Sequence, residues 1–117
     1  MDIKMIIIKI TKHIYLMALC KNYVDKDTGV RGISVVFNNY EARIHFHPVA
    51  EEYDVFYGKG IMFLDGRRFP VEAPYKVWIP ANVPHTIRAT TPFLLMRYNF
   101  PKGPFKKIPY TRLSSRL

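Results

Sequence analysis

Apolar and polar residues alternate over short stretches of this chain, and no stretch keeps a long helical spacing. Ile33-Ser-Val-Val-Phe37, Tyr53–Tyr57, Tyr75-Lys-Val-Trp-Ile79 and Phe93–Phe100 read as strands, rich in β-branched and aromatic residues. Ile61–Leu64 and Arg67–Phe69 are two more, flanking Asp65-Gly66, a strong two-residue hairpin signal. Residues 3–10 and 14–20 also read as strands, with a short helix over 11–20 as the competing assignment. Polar Asn22–Gly29 contains the turn signal Asp27-Thr-Gly29, and Asn38-Asn39 suits a hairpin turn because Asn tolerates positive φ. Pro70 and Pro74 bracket a loop. Pro80-Ala-Asn82-Val-Pro84 reads as a rigid turn with Asn82 as its left-handed residue. Pro101, Pro104 and Pro109 argue against a regular element in the tail. Many short strands between Gly, Pro and Asn turns predict an all-β barrel or sandwich with antiparallel strands and little or no helix.

One strand has an unusual parity. Side chains alternate faces along a strand, so Glu41, Arg43, His45 and His47 share one face and Ala42, Ile44 and Phe46 the other. Two imidazoles then aim at one point. Pro48 ends the ladder, and the turn that follows can send Glu51 back toward them. Two neutral nitrogens and a carboxylate oxygen suit a divalent transition ion. A closed barrel can bring His85 to the same point, because its strand also leaves a tight proline turn. If the histidines face a cavity, Ile44 and Phe46 need cover from another sheet, another subunit or the terminal segments, an argument for a dimer or a second layer.

At 117 residues the chain fits one domain, with a core over about 30–100, N-terminal strands over 1–29 and a basic, proline-containing tail over 101–117. The net charge is +9, and no acidic residue follows Glu72, so phosphate-bearing partners come into view. Phe105 and Tyr110 in the tail favour packing on protein instead, and nucleic acid is disfavoured. No apolar run reaches the ~20 residues of a membrane helix, and the opening residues do not read as a signal peptide. A lone Cys20, read as an apolar filler, fits a reducing cytoplasm.

The residues His45-x-His47-x3-Glu51-x6-Gly58 resemble the first motif of the cupins, with Asn39 in place of its leading glycine. The second cupin motif is matched by Pro80 and His85, while Pro74, Asn82 and Ala89 stand where that motif has Gly, Gly and Asn. The resemblance spans about residues 30–100. It implies a double-stranded β-helix, the jelly-roll barrel, holding a metal through His45, His47, Glu51 and His85. Glu52 is the competing carboxylate, but Glu51 keeps both motif spacings. Fe, Mn, Ni, Co, Zn and Cu all suit three nitrogens and one oxygen.

Four protein ligands leave open positions on a six-coordinate ion, where a small molecule would bind. A metal-dependent enzyme is the leading expectation, with dioxygenase chemistry favoured and isomerase, epimerase or lyase chemistry next. The alternative is a non-catalytic module that binds or senses a sugar or anion. Arg43, on the ligand face, is a candidate for holding an anionic group, with a salt bridge to Glu41 or Glu72 as its competing role. Tyr53 shares parity with Glu51 and is a candidate pocket residue, with core packing, the commoner place for a strand aromatic, as its competing role. Trp78 reads as packing, and Arg97 is left open. A homodimer is expected.

Overall fold

A computed structural model describes residues 18–25, 29–102 and 109–117, with side chains from residue 29 onward. Ten strands form two antiparallel sheets: β1 (Ala18–Asp25), β2 (Gly29–Phe37), β3 (Arg43–Phe46), β4 (Glu51–Tyr57), β5 (Lys59–Leu64), β6 (Arg67–Glu72), β7 (Tyr75–Ile79), β8 (His85–Ala89), β9 (Phe93–Phe100) and β10 (Thr111–Arg116). One sheet runs β1-β2-β9-β4-β7 and the other β10-β3-β8-β5-β6. No helix occurs among the described residues.

The alternating pattern decides which faces meet. Val36 on β2, Val55 on β4, Leu94 and Met96 on β9, Met62 on β5 and Ile87 on β8 join one buried cluster drawn from both sheets. Met62 and Leu94 are fully buried, each removal from water favouring the fold by roughly 1.5–3 kcal/mol. Val35, Phe37 and Leu95 have the opposite parity and form a second cluster with Phe56 and Phe93.

Several turns behave as their residues dictate. Asp65 and Gly66 have φ of 50° and 80°, the pair of positive values a type I′ hairpin needs. Asn82 has φ of 64°, the left-handed state expected of it. Gly58 has φ of +90°, and a Cβ there would lie 2.7 Å from the Phe93 carbonyl oxygen, so the β4–β5 bend admits glycine alone without strain.

Other expectations need correction. Strand β1 runs to Asp25, through residues read as a turn. It pairs with β2 from Ala18↔Val36 to Asp25↔Gly29. The rest of the predicted N-terminal strands, His13 and residues 26–28 lie outside the described residues. Asn38-Asn39 makes a turn closed by the Tyr40 amide on the Phe37 carbonyl (3.0 Å), but neither Asn has positive φ. That turn carries the chain from one sheet to the other, so it is a crossover and no hairpin. Pro70 lies within β6 opposite Ile61; β6 is an edge strand, where a missing N–H costs no ladder bond. Trp78 does not pack: it is 53% exposed on edge strand β7.

The tail also contains a regular element. Strand β10 begins two residues after Pro109 and pairs with β3, through Thr111↔Phe46 and Arg112↔His45. The prolines precede the element instead of interrupting it. Ile44, whose face was expected to need cover from outside, is 5% exposed in the single chain.

Candidate metal centre

Strands β3 and β8 meet at one pair of residues, His45↔His85. Directly opposed residues of antiparallel strands share a face and stand about 5 Å apart. The register therefore places these two imidazoles side by side, with ring centroids 4.4 Å apart. His47 follows two positions after His45, and its ring centroid is 4.8 Å from that of His85. Glu51 opens β4 in the facing sheet. Its Oε1 lies 3.1 Å from His47 Nε2 and 3.3 Å from His85 Nε2. His47, His85 and Glu51 are buried, and His45 is half-buried.

Two proline-bearing turns hold this arrangement. The Asn82 amide donates to the His47 carbonyl at 2.7 Å, tying the turn before β8 to the end of β3. The Asp65 amide donates to the Pro84 carbonyl at 3.0 Å, bracing the same turn from the β5–β6 hairpin. Left-handed Asn82 lets that turn reach both partners.

All three rings are oriented in the same manner. His45 Nδ1 meets the Arg43 carbonyl at 3.0 Å, His47 Nδ1 the Val49 carbonyl at 2.8 Å, and His85 Nδ1 the Val83 carbonyl at 2.8 Å. A carbonyl only accepts, so each Nδ1 carries the proton and donates. In neutral rings every Nε2 is then a bare lone pair. The three histidines present one ligand nitrogen each, all within 4.8 Å of one another. Ligands at right angles, about 2.1 Å from one ion, stand about 3.0 Å apart. The two Glu51 distances fit that spacing, while the histidine nitrogens, up to 4.8 Å apart, would have to draw together around an ion.

The donor set fits a cation better than it fits its own members. His85 Nε2 is buried with no hydrogen-bond partner; Glu51 is close to it but outside bonding geometry. Lone pairs facing a carboxylate repel unless a proton or an ion lies between them. Protonating more than one ring would leave uncompensated buried charge. At His45, burial pushes the imidazolium pKa down to about 4, and the neighbouring His85 adds to the shift. One divalent ion would satisfy all four groups. The three histidines can therefore hold a metal.

The remaining expected residues are more scattered. Tyr53 is buried on β4, its ring 5.8 Å from that of His85, so it lines the centre. Arg43 is half-buried, and its Nε and Nη2 donate to the Leu113 carbonyl on β10 at 3.4 and 3.2 Å. Neither Glu41 nor Glu72 pairs with it: Glu41 pairs with Arg116 and Glu72 with Lys59. Glu52 is opposite Trp78 in the β4–β7 ladder, on the face away from Glu51. Arg97 pairs with Asp54 at 3.4 Å and lies 4.0 Å over the Phe56 ring. Tyr110 was not singled out as a site residue. Its ring centroid is 5.2 Å from His47 and 5.6 Å from His45, although Tyr110 is 50% exposed. Parity within β3 gave no hint of it, because the β10 pairing that brings it there is long-range.

No family model and no curated protein matches the sequence. The backbone does match solved structures. A cupin-like protein from Thermotoga maritima superposes with a TM-score of 0.69 at 22% identity, covering 84% of this chain and 77% of that one. The fold is the cupin jelly roll. Two enzymes with this cupin architecture are also similar. DMSP lyase DddQ from Ruegeria pomeroyi has a TM-score of 0.69 at 15% identity, over 80% of this chain and 50% of the lyase. A salicylate 1,2-dioxygenase variant from Pseudoaminobacter salicylatoxidans has a TM-score of 0.68 at 17% identity, over 84% of this chain and 32% of the dioxygenase. Gentisate adducts of that dioxygenase are among the similar structures. The present cupin fold thus spans half of one enzyme and a third of the other.

Proposed function

We propose that this chain is a small metal-binding cupin that holds one divalent transition ion through His45, His47, His85 and Glu51 and acts on a small molecule bound beside it. The observation that carries this reading is the shared orientation of the three rings. Three backbone carbonyls hold the Nδ1 protons, and the Nε2 atoms converge on one point beside Glu51. Such second bonds fix the tautomer and the direction of metal-binding histidines.

When bound, the ion would supply Lewis acidity or oxygen activation at its open positions. Glu51, beside both His47 and His85, is a ligand first and accepts a proton only if it detaches. Tyr53 would limit water on the buried side and shape the cavity next to His85. Arg43 has less support as a substrate contact, since two of its donors are committed to Leu113. We favour dioxygenase chemistry, with isomerase, epimerase or lyase chemistry next. The lyase and dioxygenase likenesses support metal chemistry on small molecules without choosing between them, because one fold hosts many reactions.

No helix among the described residues is long and apolar enough to cross a membrane. The lone cysteine suits a reducing cytoplasm. A two-fold dimer remains our expectation. Buried Ile44 no longer argues for it, but Tyr75 and Trp78, exposed on edge strand β7, do.

The test is elemental analysis of purified protein, then O₂ uptake by the Fe(II)-loaded chain over a panel of small molecules. Stoichiometric metal lost on changing His47 or His85 is expected. A chain that retains no metal after exposure to any of the candidate ions would overturn the reading. Turnover unaffected by removing O₂ would exclude the oxygenase branch. Saturable ligand binding without turnover would place the chain among binding modules, and a sedimentation mass of one chain would contradict the dimer.

A further inference from the structure

The C-terminal strand does more than complete a sheet. Its pairing with β3 sets Thr111 opposite Phe46 and Arg112 opposite His45. Directly opposed residues share a face, so Arg112 stands on the His45 side of the sheet. The same register continued by one residue sets Tyr110 opposite His47, in agreement with its ring lying 5.2 Å away. The tail therefore adds the Tyr110 ring to the outer wall of the histidine cluster and sets Arg112, at the start of β10, on the same face of the sheet.

Arg112 differs from the other cations near this wall. Arg43 is bonded to Leu113, and Arg116 is paired with Glu41. The Arg112 side chain is exposed and makes no hydrogen bond, ion pair or ring contact with the described residues. A guanidinium presents donors in a planar fork that matches a carboxylate. A divalent ion balanced by Glu51 alone would leave surplus positive charge beside it, and an anion would be drawn to both. Tyr110, half-buried over the rings, reduces the water that would otherwise screen this attraction.

We propose that the site takes small organic acids whose carboxylate is held by Arg112 while a neighbouring oxygen reaches the metal. This rests on the metal reading above and reassigns the anion contact, expected of Arg43 from parity, to a residue of the tail.

Glycolate and glycolamide test it as matched probes, having the same hydroxyl and differing in charge. The Co(II)-loaded full chain is titrated with each and followed by the visible Co(II) bands. Arg112→Ala is expected to weaken glycolate roughly 10- to 100-fold, as loss of a hydrogen bond to a charged group would. It should leave glycolamide binding and the starting Co(II) spectrum unchanged. Arg112→Lys, which keeps the charge but not the fork, should fall between. If Co(II) is bound and glycolate binds equally with and without Arg112, this inference is overturned and the metal reading stands. Equal weakening of both probes would also overturn it, by showing an effect on the site at large. If no Co(II) is taken up, both fall together.

Discussion

The two sides of the histidine cluster are built differently. On the inner side, His47, His85 and Glu51 are buried, and each histidine is held by a backbone carbonyl. The turns behind them are braced on one another through the Asn82 and Asp65 amides. On the outer side, Tyr110 stands just before edge strand β10 and Arg112 on it, and residues are exposed along most of that strand. Holding an ion would need ligands fixed to within a fraction of an ångström, and the proposed ligands sit mostly in the core. Reading a ligand would tolerate adjustment, and the proposed anion contact sits where the chain is easiest to change.

The contrast can be broken most forcefully from the inside. His85→Ala should lower metal affinity by at least about 100-fold, more than the loss of an outer-shell partner costs. Metal content after dialysis measures this, and retention of full metal would remove His85 from the ligand set. Next in size, Gly58→Ala should destabilise the fold by about 2–3 kcal/mol, since the residue has φ of +90° and its Cβ would meet the Phe93 carbonyl. Urea unfolding reads this directly, and an unchanged midpoint would mean the bend relaxes freely.

A third prediction concerns protons. His45 in the fold has a pKa of about 4, below its ordinary 6.5, so the unfolded chain binds the extra proton first as pH falls. Stability of the metal-free protein from this group is complete above about pH 6.5 and is lost toward pH 4, by about 3 kcal/mol. Unfolding midpoints of chelator-treated protein at pH 7, 5 and 4 check the sign. A midpoint that rises on acidification would contradict it. The smallest effect belongs to the outer side. Arg43→Ala removes a half-buried bond to Leu113 and should cost about 1 kcal/mol. Amide exchange should quicken in β10 while β8 stays protected; equal quickening in both would mean that the two sides do not differ as described.

What the sequence conveyed follows the same division. The alternation in 41–47 and the motif spacing to Glu51 and Gly58 are local, and they are legible because strand parity and a turn need only neighbouring residues. Asn82 was readable for the same reason, as few residues accept positive φ. The role of β10 was not. Prolines at 101, 104 and 109 signal irregular chain, and nothing local says that the six residues of β10 will pair with β3. The Arg43 bond was illegible for the same reason: parity fixed its face, but its partner, Leu113, is on that distant strand. Trp78 was expected inside because large aromatics usually are. Position on the outer face of an edge strand overrode that tendency.

The bond from the Asn82 amide to the His47 carbonyl joins segments far apart in the chain. A fragment ending before Asn82 lacks both this tie and the third imidazole. During folding, then, nothing short of nearly the whole barrel can seize an ion firmly. Uptake of a coloured cation would serve as a clock that starts only when assembly of the shell is finished.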